Sequence, residues 1–197
     1  MNDRIKEIKQ SFRQMMDGAV AQSMRDKGVD YHLNWGVTLP RLREKADEIG
    51  KNYDLAIALW KENVRECKIL ATMVMPADVI LPEVVDIWME QTETVEIAEQ
   101  ASMNLYQYLP YAPMKAFEWI ASDKELYQLC GFHVLSRLFM NGQEPNERGI
   151  NEFLDQAHVA LQSSIVTVRK AALNCLNRFA DLGLVYERLA DSILRRV

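Results

Sequence analysis

Several side chains in this sequence stand where they could do chemistry. Acids gather at the start of one helical stretch, where Glu93, Glu96 and Glu99 fall three apart. Carboxylates so placed could act on a bound substrate, or could simply answer the positive end of the helix dipole. Cations gather in two other stretches: Arg41, Arg43 and Lys45 in LPRLREK, and Arg169 and Lys170 in TVRKAA. Each group could hold phosphate oxygens, and each could equally be the solvated face of a helix. Trp35 sits in the loop VDYHLNWGVT, where an aromatic either flanks a ligand groove or plugs a gap in the packing. Cys130 and His133 form a C-x-x-H pair, which is two ligands short of a tetrahedral metal site. With Cys67 and Cys175 the cysteines number three and lie far apart, which argues for buried thiols and against a disulfide framework. No Gly-rich phosphate loop, G-x-S-x-G elbow or H-E-x-x-H run occurs. Nucleotide hydrolysis, acyl transfer and zinc hydrolysis therefore have no support, and no cofactor or metal is expected.

The elements that must position these groups read as helices throughout. Ile5, Ile8, Phe12, Met15 and Val20 fall mostly three or four apart, an amphipathic stripe that continues or bends near Gly18 and ends at Gly28. Thr38 and Pro40 open LPRLREKADEIG, which Gly50 closes. DLAIALWKEN and VRECKILATMVM follow, stopped at Met75-Pro76. PEVVDIWMEQ precedes TVEIAEQASMNLYQYLP, capped by Thr92 or Thr94. MKAFEWIAS pairs with DKELYQLCGFHVLSRLFMNG, capped by Asp123 and closed by Asn141-Gly142. The last set is RGINEFLDQAHVALQ, then SIVTVRKAALNCLNRFADLG, capped by Ser163 or Ser164, then LVYERLADSILRRV. Nothing of useful length alternates with period two. Helix pairs of about 35 to 45 residues predict an all-α fold of tandem HEAT-like repeats forming a curved solenoid, a single domain over residues 1–197. A helical bundle of other topology is the competing architecture.

Charge is distributed unevenly. Residues 1–70 hold 13 basic and 11 acidic side chains, and residues 131–197 hold 8 and 7. Between them, residues 71–130 hold only Lys115 and Lys124 against 10 acids. A protein that grips DNA neutralises phosphates with cations, so the middle of this chain is the wrong sign for that task and its ends are neutral. No run reaches the roughly 18 apolar residues of a membrane span, and MNDRIKEIKQ lacks the apolar stretch of a secretory signal, so a cytoplasmic protein is expected.

Residues 35–74 carry a resemblance. Trp35, Gly36, Val37, Pro40, Leu42, Arg43, Leu59, Trp60, Arg65 and Glu66 follow an aromatic-Gly-Val-x-x-Pro-x-Leu-Arg opening, then a Leu-Trp helix, then an Arg/Glu-containing helix. VRKAALNCLNRF, residues 168–179, is similar to a late V-R-K-A helix. Together they resemble the AlkD-like DNA alkylation repair proteins. The resemblance implies HEAT-like repeats whose concave face holds duplex DNA, and glycosylases that release N-alkylated purines. It implies a carboxylate near the sugar, aromatic faces for the cationic lesion, and basic residues for phosphates. Carried over by position, the acid is Glu99, the phosphate contacts are Arg41, Arg43, Arg169 and Lys170, and the groove positions are Trp35, Val95 and Asn174. Val95 and Asn174 stand where the family carries aromatic rings, and Gln128-Leu129-Cys130 stands where it often carries paired arginines. Three readings follow: an alkylpurine glycosylase working through Glu99, a non-catalytic DNA binder, and a helical-repeat scaffold with a protein partner in its concave groove.

Overall fold

The structure is a computed structural model and describes residues 1–196. Those residues contain helices and no strand. The chain divides into two compact units, Met1–Leu105 and Tyr106–Val197.

Unit 1 begins with α1 (Asn2–Gln14) and α2 (Gly18–Asp26). The break between them corrects the expected continuous or bent helix. Asp17 turns its carboxylate onto the amides of Ala19 and Val20 and starts a new helix, a cap worth about 1 kcal/mol. After the loop come α3 (Leu39–Ile49), α4 (Tyr53–Trp60), α5 (Arg65–Val74), α6 (Pro82–Glu90) and α7 (Val95–Asn104). Thr38 stands at the N-cap of α3, Gly50 (φ 71°) at its C-cap, and Thr94 Oγ1 caps α7. Helix α5 is the centre of the unit: α3, α4 and α7 all pack on it, and Ile69, Leu70, Ala71 and Val74 are fully buried. Trp60 of α4 and Trp88 of α6 stack, with centroids 4.2 Å apart and planes within 5°, and Lys68 Nζ lies 4.4 Å from the Trp60 centroid. The long run predicted through Leu109-Pro110 ends early, at Asn104. Leu105 leaves the helical region at φ −134° and ψ −60°.

Unit 2 opens with a 3-10 turn, Tyr106–Tyr108, followed by α8 (Ala112–Ile120), α9 (Glu125–Met140), α10 (Glu147–Leu161), α11 (Val166–Ala180) and α12 (Leu184–Leu194). Here α8 packs on α9, and α10 and α12 pack on α11. Helices α9 and α11 lie side by side and run the same way, since Glu125 meets Thr167 and Ser136 meets Asn174. The core is aromatic: Phe139, Phe153 and Phe179 meet with centroids 5.0 to 5.5 Å apart. Gly131 lets α9 approach α8, because a Cβ there would lie 2.7 Å from the Ile120 backbone nitrogen.

Two expected caps are corrected. Asp123 does not cap α9: the helix starts at Glu125, and Ser122 Oγ takes the Lys124 amide instead. Neither Ser163 nor Ser164 occupies the N-cap of α11, which is Ile165. Ser163 turns its hydroxyl to the Ile165 amide and its carbonyl to Arg169.

Candidate functional site

In unit 1 the chemistry-bearing residues converge on the start of α7 and the loop before α3. Arg65 is the first residue of α5 and is 2% exposed. Its guanidinium meets the Glu96 carboxylate as a two-pronged fork: Nε donates to Oε2 at 2.8 Å and Nη2 to Oε1 at 2.6 Å. Its Nη1 donates to the Val37 carbonyl at 2.9 Å and to Glu66 Oε1 at 3.3 Å. The same Glu66 oxygen accepts the amides of Trp35 (3.1 Å) and Val37 (3.2 Å). The Tyr31 hydroxyl donates to Glu96 Oε2 at 2.6 Å and lies 3.0 Å from Thr94 Oγ1. One arginine and two carboxylates thus tie the loop to two helices. Paired forks of this kind are the strong, geometrically specific ion contacts.

The same contacts set the proton affinities. Burial pushes the Glu96 carboxyl upward, but the Arg65 fork and Tyr31 outweigh it and hold it below the usual carboxylate range. Burial, and then the charge on Glu96, drive the Tyr31 phenol well above its ordinary value. Burial tends to lower the Arg65 guanidinium, and Glu96 more than restores it.

This network also explains the Trp-Gly-Val motif. The Trp35 carbonyl accepts the Asp17 amide at 2.9 Å. Gly36 has φ 74°, and a Cβ there would lie 2.1 Å from the Asp17 carbonyl oxygen. Only glycine fits so close an approach.

Glu99 lies one turn beyond Val95 on the same helix, at the surface. Partial burial, and then the charge of Glu96, push its carboxyl upward. Val95 is half-buried. The half-buried ring of Trp35 lies against Phe12, centroids 6.0 Å apart, with the Arg13 guanidinium 5.8 Å from it. Arg41 pairs with Glu44 at 3.0 Å on an exposed face of α3, and Arg43 is exposed beside it.

In unit 2, Arg169, Lys170 and Asn174 share α11. Arg169 is half-buried and its guanidinium donates to the Ser163 carbonyl, at the turn after α10. Lys170 is exposed. Asn174 donates to Ser136 Oγ at 3.2 Å. Gln128 is half-buried, and Leu129 and Cys130 are buried. All three cysteines are buried as free thiols. No group of three or more His, Cys, Asp or Glu side chains fit to hold a metal ion occurs among the described residues.

Tyr31, Arg65, Glu66 and Glu96 as a network were not apparent in the sequence, because every contact in it except Arg65–Glu66 spans 28 to 65 residues. One signal was available. Arg65-Glu66 opens a mostly apolar helix, and charges buried in such a run have to be paired.

Comparison with known proteins matches residues 8–181 to the family described as DNA alkylation repair enzyme. No curated protein matches. One solved structure matches 96% of this chain and 81% of its own, at TM-score 0.85 and 19% identity. It is described as a new family of proteins related to the HEAT-like repeat DNA glycosylases, with affinity for branched DNA structures. At that identity it shows the fold: all-helical HEAT-like repeats, as the helix-pair spacing predicts.

Proposed function

We propose, from the premise that this chain belongs to the DNA alkylation repair enzyme family, that it binds DNA without excising alkylated bases. The two units together make the single repeat domain that does so. The observation that carries the reading is the fate of the α7 carboxylates. Glu96 is engaged by Arg65 and Tyr31 in holding the loop, so it cannot also face a departing base. Glu99 is the second carboxylate of the same helix, at the surface, and Val95 is the side chain one turn before it. An aliphatic side chain lacks the negative ring face that attracts a cationic purine. Removing one positioned electrostatic group costs other enzymes about 100- to 1,000-fold.

Support for DNA as the ligand is the family and the branched-DNA affinity of the structural neighbour. Arg43 and Lys170 are the exposed cations best suited to phosphate. Arg41 shares its charge with Glu44, and Arg169 is committed to a turn. The acid excess of residues 71–130 favours a second reading, a scaffold for a protein partner.

Two measurements separate the readings. Duplex DNA carrying N7-methylguanine, incubated with excess protein, is expected to yield no free base above the protein-free rate. Release that Glu99→Gln abolishes would establish the glycosylase. Linear duplex and four-way-junction DNA are expected to bind with an affinity that falls steeply as salt rises. A flat salt response, or no binding at low salt, leaves the scaffold.

A further inference from the structure

Unit 2 contains a half-open cleft of about 770 Å³ that the DNA reading does not use. It lies among α8, the last turns of α9, the connecting loop and the start of α10. Its apolar floor comes from Phe117, Leu138 and Phe139, and Met114, 56% exposed, stands on its edge. Its rim carries Glu118, Glu144 and Glu152 against one cation, Arg148. Lys115 balances Glu118 at 3.0 Å. Glu144 accepts the Tyr186 hydroxyl at 2.7 Å, which leaves its charge intact. Among the described residues neither Glu144 nor Glu152 has a cationic partner, and the exposed acids Glu147 and Asp155 stand on the same helix as Glu152. The cleft therefore joins an apolar surface, open at the exposed Met114 and the half-buried Phe117 with Leu138 and Phe139 buried beneath them, to a rim with one more carboxylate than cations.

Charge complementarity selects the occupant. Nucleic acid is excluded, because its phosphates would meet carboxylates. A volume near 770 Å³ is in the range of built ligand clefts, and one open along a side admits a short chain segment rather than enclosing a small molecule. An amphipathic helix offers apolar side chains at i, i+3 and i+4 with lysines or arginines beside them. The geometry points to a docking site for a basic amphipathic segment of a partner protein, its apolar residues on Met114 and Phe117 and its cations on Glu144 and Glu152. This surface is separate from the residues assigned to DNA, so the two interactions can fail independently.

The test uses the full chain, labelled with ¹⁵N, and a synthetic Leu/Lys helical peptide of about 14 residues, four helical turns. Two control peptides replace every Lys by Glu, or every Leu by Ser. The Leu/Lys peptide is expected to bind saturably, with amide shifts centred on Met114, Phe117, Leu138 and Gly149, and neither control should compete. Met114→Ser and the pair Glu144→Lys/Glu152→Lys alter surface-accessible side chains, so the fold should survive. Each should weaken binding about tenfold or more. The proposal fails if no saturable binding occurs below about 1 mM, or if the shifts fall elsewhere. It also fails if the Leu-free peptide binds equally, if either variant binds like the parent, or if a short DNA duplex shifts the same residues.

Discussion

The two units reach order by different physical means. Unit 1 holds 13 basic and 18 acidic side chains, and its loop is fixed by ions: Arg65 between Glu66 and Glu96, with Tyr31 closing the ring. Unit 2 holds 10 of each sign, and its centre is a cluster of phenylalanines with Tyr186 packed edge-on to Phe179. Directional charge contacts fix a geometry but depend on every partner being present. An apolar cluster tolerates changes of shape and is indifferent to protons. Unit 1 should therefore break sharply when one ion is removed or titrated, whereas unit 2 should yield by degrees.

The severest break is Arg65→Met. It leaves two carboxylates with no cation, Glu66 being fully buried, and breaking a buried pair in this way costs about 3–5 kcal/mol. Denaturant unfolding measures the loss. Hydrogen exchange should rise across residues 31–37 and at the start of α7 while α9 and α11 stay protected. Equal loosening of both units would erase the contrast.

Acid is the next lever. The Glu96 carboxyl is lower in the folded chain than in the unfolded one, so its contribution is complete above the ordinary carboxylate value. That contribution disappears as pH falls through the depressed folded value. Glu99 is shifted the other way, so its contribution exists below the ordinary value and is lost as pH rises through the raised one. Melting temperature followed against pH should therefore fall on the acid side. Glu96→Gln should flatten that fall, and Glu99→Gln should slightly raise the melting temperature at neutral pH.

Phe153→Leu is milder. It keeps the cluster apolar and should cost about 1 kcal/mol with no pH dependence. A pH-dependent loss would mean that unit 2 leans on charge as well. Smallest is Lys170→Ala, which should lower the slope of log affinity for DNA against log salt by about 1 and leave thermal stability unchanged. Arg169→Ala should instead lower stability, since its guanidinium ties the Ser163 turn.

Helix identity was legible because apolar residues recur at helical spacing and the chain has few breakers. Gly50, Met75-Pro76 and Gly142 end helices where their backbone chemistry requires it. Caps were harder. Ser122 and Asp123 offer competing oxygens one residue apart, and only the final path of the turn decides which reaches the amide. The site was least legible. Arg41, Arg43, Arg169 and Lys170 read alike as cations on helices, yet Arg41 is exposed but paired, Arg169 is half-buried and tied to a turn, and Arg43 and Lys170 are exposed. Local spacing carries no information on partners 30 residues or more away, and Tyr31 and Glu96 are linked across 65.

The stacked indoles of Trp60 and Trp88 have an optical consequence. Two stacked chromophores 4.2 Å apart couple their excited states, so their absorption and emission differ from those of two isolated indoles. That signal depends on α4 and α6 staying in register, and it vanishes with either tryptophan. Unit 1 thus carries an intrinsic gauge, readable without any label, that reports when its helices part.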